Sequence, residues 1–185
     1  MTERMVLAGW GGQGTILLGK LLATAVMKEG KHVAAFPCYG AEVRGGTAYC
    51  QVIYSTEPVY SPIVARADSL VIMNQPSYER FRPVLVPKGL LVLNSTMVVD
   101  EGPQRGARRV RVPATEAAIK LGNVIVSNMV MLGAYRYATN CVSMQTIEKV
   151  LQEVLVGAKA KLIPLNLKAI ALGEELARND AWRPA

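Results

Sequence analysis

The chain has 185 residues, 51% of them apolar and 19% charged, which is too rich in core-forming types for a disordered segment and suits one domain with one substantial core. Its formal charge of +7 is spread along the chain. The densest basic group, Arg105, Arg108, Arg109 and Arg111, is explained by a solvated loop and strand face without a nucleic-acid partner; an acidic or phosphorylated ligand is the sharper alternative. No apolar run reaches the ~20 residues that cross a bilayer, and the first residues lack a basic segment followed by a long apolar one, so the expectation is a soluble, cytoplasmic protein that binds no membrane and no nucleic acid.

The first predicted element is a short buried strand at 5–8, then a glycine-rich turn and a helix over 16–29 with Leu17, Leu21, Leu22 and Ala25 on one side. Gly30 ends that helix, and a second strand at 33–36 is stopped by Pro37. Residues 5–36 thus read as a β-α-β unit whose strands lie parallel. His32 sits just before this apolar stretch and reads as a strand-edge residue.

After a loop over 37–46, the β-branched and aromatic stretch 47–54 reads as a strand. Further strands are expected at 69–73, 90–93 and 108–112, with a helix over 76–86 that Pro83 interrupts. Thr115 is placed to cap a short helix ending at Leu121. The remainder is helical: 124–139, then 143–156 capped by Ser143, then 164–178 with Pro164 in its first turn. Alternating strands and helices followed by accumulated helices predict an α/β fold, a three-layer α/β/α sandwich whose sheet is mostly parallel or mixed, with a Rossmann-like first β-α-β unit and one domain over residues 1–185.

Cys38, Cys50 and Cys141 are odd in number and form no C-x-x-C pair. This argues against a disulfide framework, a zinc knot or an iron–sulfur cluster held by this chain alone. No metal site and no catalytic residue is expected: there is a single histidine, and no nearby pair of acids resembles a general acid and base.

Two glycine-rich stretches carry the functional signal. In Gly9-Trp10-Gly11-Gly12-Gln13-Gly14 the spacing is that of a dinucleotide-binding turn, and the amides opening the following helix suit an anionic group. A dinucleotide site also needs an acid about twenty positions on, at the end of the second strand. Those positions read Val33-Ala34-Ala35-Phe36-Pro37, so a stand-alone dinucleotide-binding oxidoreductase of Rossmann type is only the alternative, beside a purely structural tight turn. Trp10 and Gln13 are unusual in such a turn and suggest contact with a ligand or partner, although Trp10 folded back onto the core is equally compatible.

The second stretch is Tyr39-Gly40-Ala41-Glu42-Val43-Arg44-Gly45-Gly46. Arg44 offers a planar fork for a phosphate or carboxylate, and Glu42 can orient it or meet a cation. An exposed ion pair on a turn is the plain alternative. Asn128, in an otherwise apolar helix, is read as a buried amide satisfied by backbone, and Gly133 as a position that permits close packing.

Taken together, "GWGGQGT", "YGAEVRGGTAYCQV", "ADSLVIMNQ", "NMVMLGAY", "VSMQTIEKVL" and "NLKAIALG" resemble the gamma subunit of the 2-oxoacid:ferredoxin oxidoreductases, from about Val6 to Gly173 with the motifs in family order. The resemblance implies a complex that oxidatively decarboxylates a 2-oxoacid to an acyl-CoA and passes electrons to ferredoxin. It implies thiamine diphosphate, Mg and iron–sulfur clusters on the alpha, beta and ferredoxin-like delta subunits, with none bound by this chain alone. This chain's part would be assembly and coenzyme A binding, so that in isolation it is catalytically silent and self-associates, for instance as a homodimer. The family's turn falls on Gly9, Gly11, Gly12, Gln13 and Gly14, and its second loop on Tyr39, Gly40, Glu42, Arg44, Gly45 and Gly46; these are the candidate contacts to coenzyme A or partner chains. Ala41 stands where the family commonly has proline, and Trp10 where a smaller residue is usual.

Overall fold

The computed structural model describes residues 1–40, 46–100, 102 and 106–180. The apolar run Met5-Val6-Leu7-Ala8 lies in strand β1 (Thr2–Trp10), where period-2 alternation sends Met5 and Leu7 into one core and Val6 and Ala8 into the other. All four are buried, as a central strand covered on both faces requires. The other strands are β2 (His32–Tyr39), β3 (Thr47–Ser55), β4 (Ala67–Ile72), β5 (Leu85–Asn94) and β6 (Arg108–Val112). They form one sheet in the order β2-β3-β1-β4-β5-β6.

Strands β1, β4, β5 and β6 pair in parallel, whereas β3 runs antiparallel to both of its neighbours, β1 and β2. The expected β-α-β unit therefore holds in direction but not in pairing. β1 and β2 point the same way, yet β3 lies between them, because β3 returns antiparallel along β2 and is apolar enough to be buried along most of its length. Pro37 does not stop β2 as expected. It lies within the strand, opposite Cys50, a position open to proline because β2 is an edge.

Helix α1 (Thr15–Lys28) packs with α3 (Ala114–Lys120), α4 (Ser127–Thr139), α5 (Met144–Val154) and α6 (Ile163–Asn179) over one face of the sheet. The other face is covered by the short α2 (Gln75–Phe81), which contributes Tyr78 and Phe81, together with Val64 and Val98. The sandwich has three layers of very unequal thickness.

Helices α4 and α6 meet through paired glycines. A Cβ on Gly133 would run into the Ile170 carbonyl, and one on Gly173 into the Val130 carbonyl. This is the close packing expected of Gly133.

Local signals account for most helix ends. Ser143 caps α5, its hydroxyl accepting from the Thr146 amide at 3.2 Å, and Pro164 lies in the first turn of α6. Helix α2 stops at Phe81, and Pro83 falls in the 3-10 turn Arg82–Val84 that follows. Thr115, however, does not cap α3, which begins at Ala114 after Pro113; its hydroxyl instead accepts from the Asn94 side-chain amide at 2.8 Å. Asn94 is fully buried and needs that partner, and the first amides of α3 are met from outside the helix, the Thr115 amide donating to Asn94 Oδ1 at 3.3 Å and the Glu116 amide to Thr96 Oγ1 at 3.4 Å. The helix expected over 124–139 is divided, with a 3-10 turn Val124–Val126 preceding α4. No helix among the described residues is long and apolar enough to cross a membrane.

Candidate functional site

The glycine turn leaves the carboxyl end of β1 and opens α1, and three of its four glycines, Gly9, Gly12 and Gly14, are demanded by space or by backbone. A Cβ on Gly9 would stand 2.9 Å from the Met73 Cβ and 2.9 Å from the Thr15 Cγ2, distances that packed atoms do not adopt. Gly12 and Gly14 have φ of 100° and 74°, a region costly for any residue with a Cβ. At Gly14 that atom would also strike the Asn128 side chain.

The two glycine stretches come together. Trp10 is opposite Thr47 in the β1–β3 ladder, the Gly11 amide donates to the Gly46 carbonyl at 3.0 Å, and the Gly40 amide donates to the Thr47 carbonyl at 2.7 Å. Gly11, Gly12 and Gly40 are exposed, as is Tyr39 (72%), while Trp10 is borderline at 36%. Gly46 is buried. Glu42, Arg44 and Gly45 lie outside the described residues.

Gln13 serves the protein itself. Its Oε1 accepts from the Trp10 amide at 2.7 Å and from Asn74 Nδ2 at 2.9 Å, and its Nε2 donates to the Met73 carbonyl at 3.4 Å. The turn is thereby fastened across to the end of β4. Asn74 in turn caps α2, accepting from the Ser77 amide at 3.0 Å, and Asn94 donates to the Met73 carbonyl at 3.2 Å and to Thr115. Asn128 donates to the Gly14 carbonyl at 3.2 Å, so it is the backbone-satisfied amide its position suggested.

The result is a row of neutral amides along the carboxyl ends of β1, β4 and β5. The sequence singled out Gln13 and Asn128, took Thr115 for a helix cap, and passed over Asn74 and Asn94. The available signal was an asparagine at or just past the end of each of two apolar strands, where a buried backbone end needs a partner.

The row sits where the crossovers change sides, since α1 after β1 covers one face and α2 after β4 the other. Such a switch point is where open α/β sheets form their binding crevice. Among the described residues α1 has no side-chain cap, because its N-cap residue is Gly14, and the hydroxyl of Thr15, the next residue, is donated to the Ala48 carbonyl at 3.1 Å. First-turn amides without a side-chain acceptor, reached past three exposed glycines, can meet an anionic oxygen.

Two features oppose a dinucleotide in this crevice. β2 ends in Phe36-Pro37-Cys38-Tyr39 with no carboxylate. Moreover, β3 occupies the place beside β1 that β2 takes in a dinucleotide fold, so the end of β2 lies one further strand spacing away, about 4.8 Å. The cysteines are free thiols. Burial, with Cys38 nearby, pushes the Cys50 thiol up to about 11, and burial raises Cys141, so neither is disposed to act as a thiolate ligand.

The fold defines an α/β/α domain with a glycine-rich turn at its switch point and one antiparallel strand inserted beside it. Residues 4–176 match the family model for pyruvate ferredoxin/flavodoxin oxidoreductase, and the chain belongs to that family. It is 36% identical over 178 residues to the ketoisovalerate oxidoreductase subunit VorA of Methanothermobacter thermautotrophicus, an alignment that covers 96% of this chain and 37% of that one; the chain thus spans little more than a third of that relative. It superposes on the gamma subunit of the keto/oxoacid ferredoxin oxidoreductase of Geobacter sulfurreducens with a TM-score of 0.80 and 30% identity, over 95% of this chain and 98% of that one. It also superposes on the 2-oxoglutarate:ferredoxin oxidoreductase of Magnetococcus marinus, solved with 2-oxoglutarate, coenzyme A and succinyl-CoA bound, with a TM-score of 0.87 and 28% identity, over 100% of this chain and 33% of that one.

Proposed function

We propose that this chain is the gamma component of a complex that oxidatively decarboxylates a 2-oxoacid to an acyl-CoA and passes the electrons to ferredoxin, and that it holds part of coenzyme A. The observation that carries the coenzyme A role is the junction of the two glycine stretches by the Gly11–Gly46 hydrogen bond, beside a helix start without a side-chain cap. A diphosphate suits that junction, since backbone amides grip phosphate oxygens without a charged side chain. The presence of bound coenzyme A in the Magnetococcus oxidoreductase supports the reading. Thiamine diphosphate with Mg, and the iron–sulfur clusters, belong on this proposal to alpha, beta and delta chains; the raised thiols of Cys50 and Cys141 accord with that division. When bound there, those groups supply the carbanion and redox chemistry, while this chain orients the thiol substrate and packs against its partners.

The test is dye-linked turnover with 2-oxoacid, thiamine diphosphate and coenzyme A. The isolated chain should reduce no viologen, and adding the partner chains should restore reduction. Reduction by this chain alone would overturn the proposal. Calorimetric titration of the isolated chain with coenzyme A and with NADH separates the coenzyme role from the dinucleotide alternative, which predicts the reverse preference.

A further inference from the structure

At the amino end of the same sheet a cleft of about 510 Å³ opens between the starts of β1, β4 and β6, the turn before β2, residues of β5, and the turn after α4. Two of its lining residues, Tyr54 and Glu3, belong to a buried polar network at this end of the sheet. The Tyr54 and Tyr135 hydroxyls lie 3.1 Å apart, and the Tyr135 hydroxyl also contacts Ser69 Oγ at 3.4 Å and Glu3 Oε1 at 3.5 Å.

Three cationic side chains from separate parts of the chain line this cleft: Lys31, Lys88 and Arg108. Lys31 Nζ rests 4.8 Å over the Tyr54 ring and donates to the Cys141 carbonyl at 3.4 Å. Arg108 donates to the Ala138 carbonyl at 2.9 Å. Each is therefore fixed in place by a carbonyl at or just beyond the end of α4. The two acids of the cleft are engaged within the protein: Asp68 accepts from the Arg4 amide at 2.9 Å and pairs with its guanidinium at 3.4 Å, and Glu3 faces Tyr135.

The third cation is placed by a distortion of the sheet. Ala67 pairs with Leu85, but Ser69, two residues on, pairs with Leu90, five residues on, so β5 bulges over 86–89. Within that bulge Lys88 has φ of 62°, one of only two positive values at non-glycine positions among the described residues. A lysine in the left-handed region costs about 1 kcal/mol or more, although the next residue, Gly89, would bear that conformation freely. Bulges that re-aim a side chain, and backbone held in such regions, gather at functional sites.

We propose that this cleft is a binding site for a compact polyanion of metabolite size, a phosphate or a di- or tricarboxylate, held between Lys31, Lys88 and Arg108 beside Tyr54. It is distinct from the glycine-turn crevice, which lies at the opposite end of the strands.

The experiment titrates the full chain by calorimetry with inorganic phosphate and, separately, with citrate. At least one should bind saturably, one ion per chain; which one distinguishes a phosphate site from a carboxylate site. The double variant Lys31→Met, Lys88→Gly should bind roughly tenfold more weakly or worse. Its Lys88→Gly member suits the backbone at that position, so loss of binding with unchanged circular dichroism is loss of charge and not of fold. Lys88→Arg should retain binding. Absence of saturable binding of either anion up to millimolar concentrations, or undiminished binding by the double variant, would overturn the proposal.

Discussion

The two ends of the sheet are built from opposite materials. At the carboxyl ends, Gln13, Asn74, Asn94 and Asn128 join strands, turn and helix starts by neutral hydrogen bonds, and what is offered to a ligand is backbone. At the amino ends the lining is ionic, with Glu3, Asp68, Lys31, Lys88 and Arg108 around a cleft that Tyr54 also lines. The chain's positive charge therefore need not be tied to its glycine motifs. A fitted amide joint tolerates little change in shape, whereas an open ionic cleft tolerates a change of side chain as long as the net charge is kept.

The largest effect should come from Gly14→Ala. The new methyl group meets both a φ of 74° and the Asn128 side chain, so about 2–4 kcal/mol should be lost in urea denaturation. A loss below about 0.5 kcal/mol, typical of a surface change, would show that the joint is not fitted. Gln13→Leu keeps the bulk but strands the Trp10 amide and the buried Asn74 amide. About 1–2 kcal/mol should go with it, whereas Lys31→Met at the other end should change stability less; the reverse order would erase the contrast between the two ends.

The smallest effect is a pH signature. Burial raises the Glu3 carboxyl above its ordinary value of 4.5, with the Ser69 and Tyr135 hydroxyls and Arg108 opposing and Asp68 adding to the rise. In the window above that value the folded chain holds a proton that the unfolded chain has released, so stability falls as pH rises through it. Glu3→Gln removes the titration. Its melting temperature relative to the parent should therefore climb between about pH 4.5 and neutrality and be least favourable in acid. A difference that is flat with pH would mean that the cleft does not bury that carboxyl.

Much of the architecture was legible because its causes are local. The apolar run of β1, the glycines before α1, Ser143 before α5 and Gly133 on α4 each act on residues a few positions away or through the absence of a side chain. The insertion of β3 was not legible, since a strand's partner is chosen by burial across the sheet and β2 and β3 are each compatible with either neighbour. Thr115 read as a cap because nothing local reveals that the Asn94 amide competes for its hydroxyl. At the candidate site the glycines were evident, but the amides that hold them in place come from three other elements. At the amino end, residues 87–89 fall between the helix expected over 76–86 and the strand expected at 90–93; only the slipped β4–β5 register shows them to be part of an excursion that positions a cation.

The glycine pair between α4 and α6 reaches further than its own contact. With backbone against backbone at Gly133 and Gly173, α4 can neither roll nor slide without α6, and Asn128 stands only five residues before Gly133, about 7.5 Å along the axis. The amide that pins the Gly14 carbonyl is thus indexed to a helix that supplies no residue to the glycine turn, so a bulkier residue at Gly173 should disturb that turn without touching it.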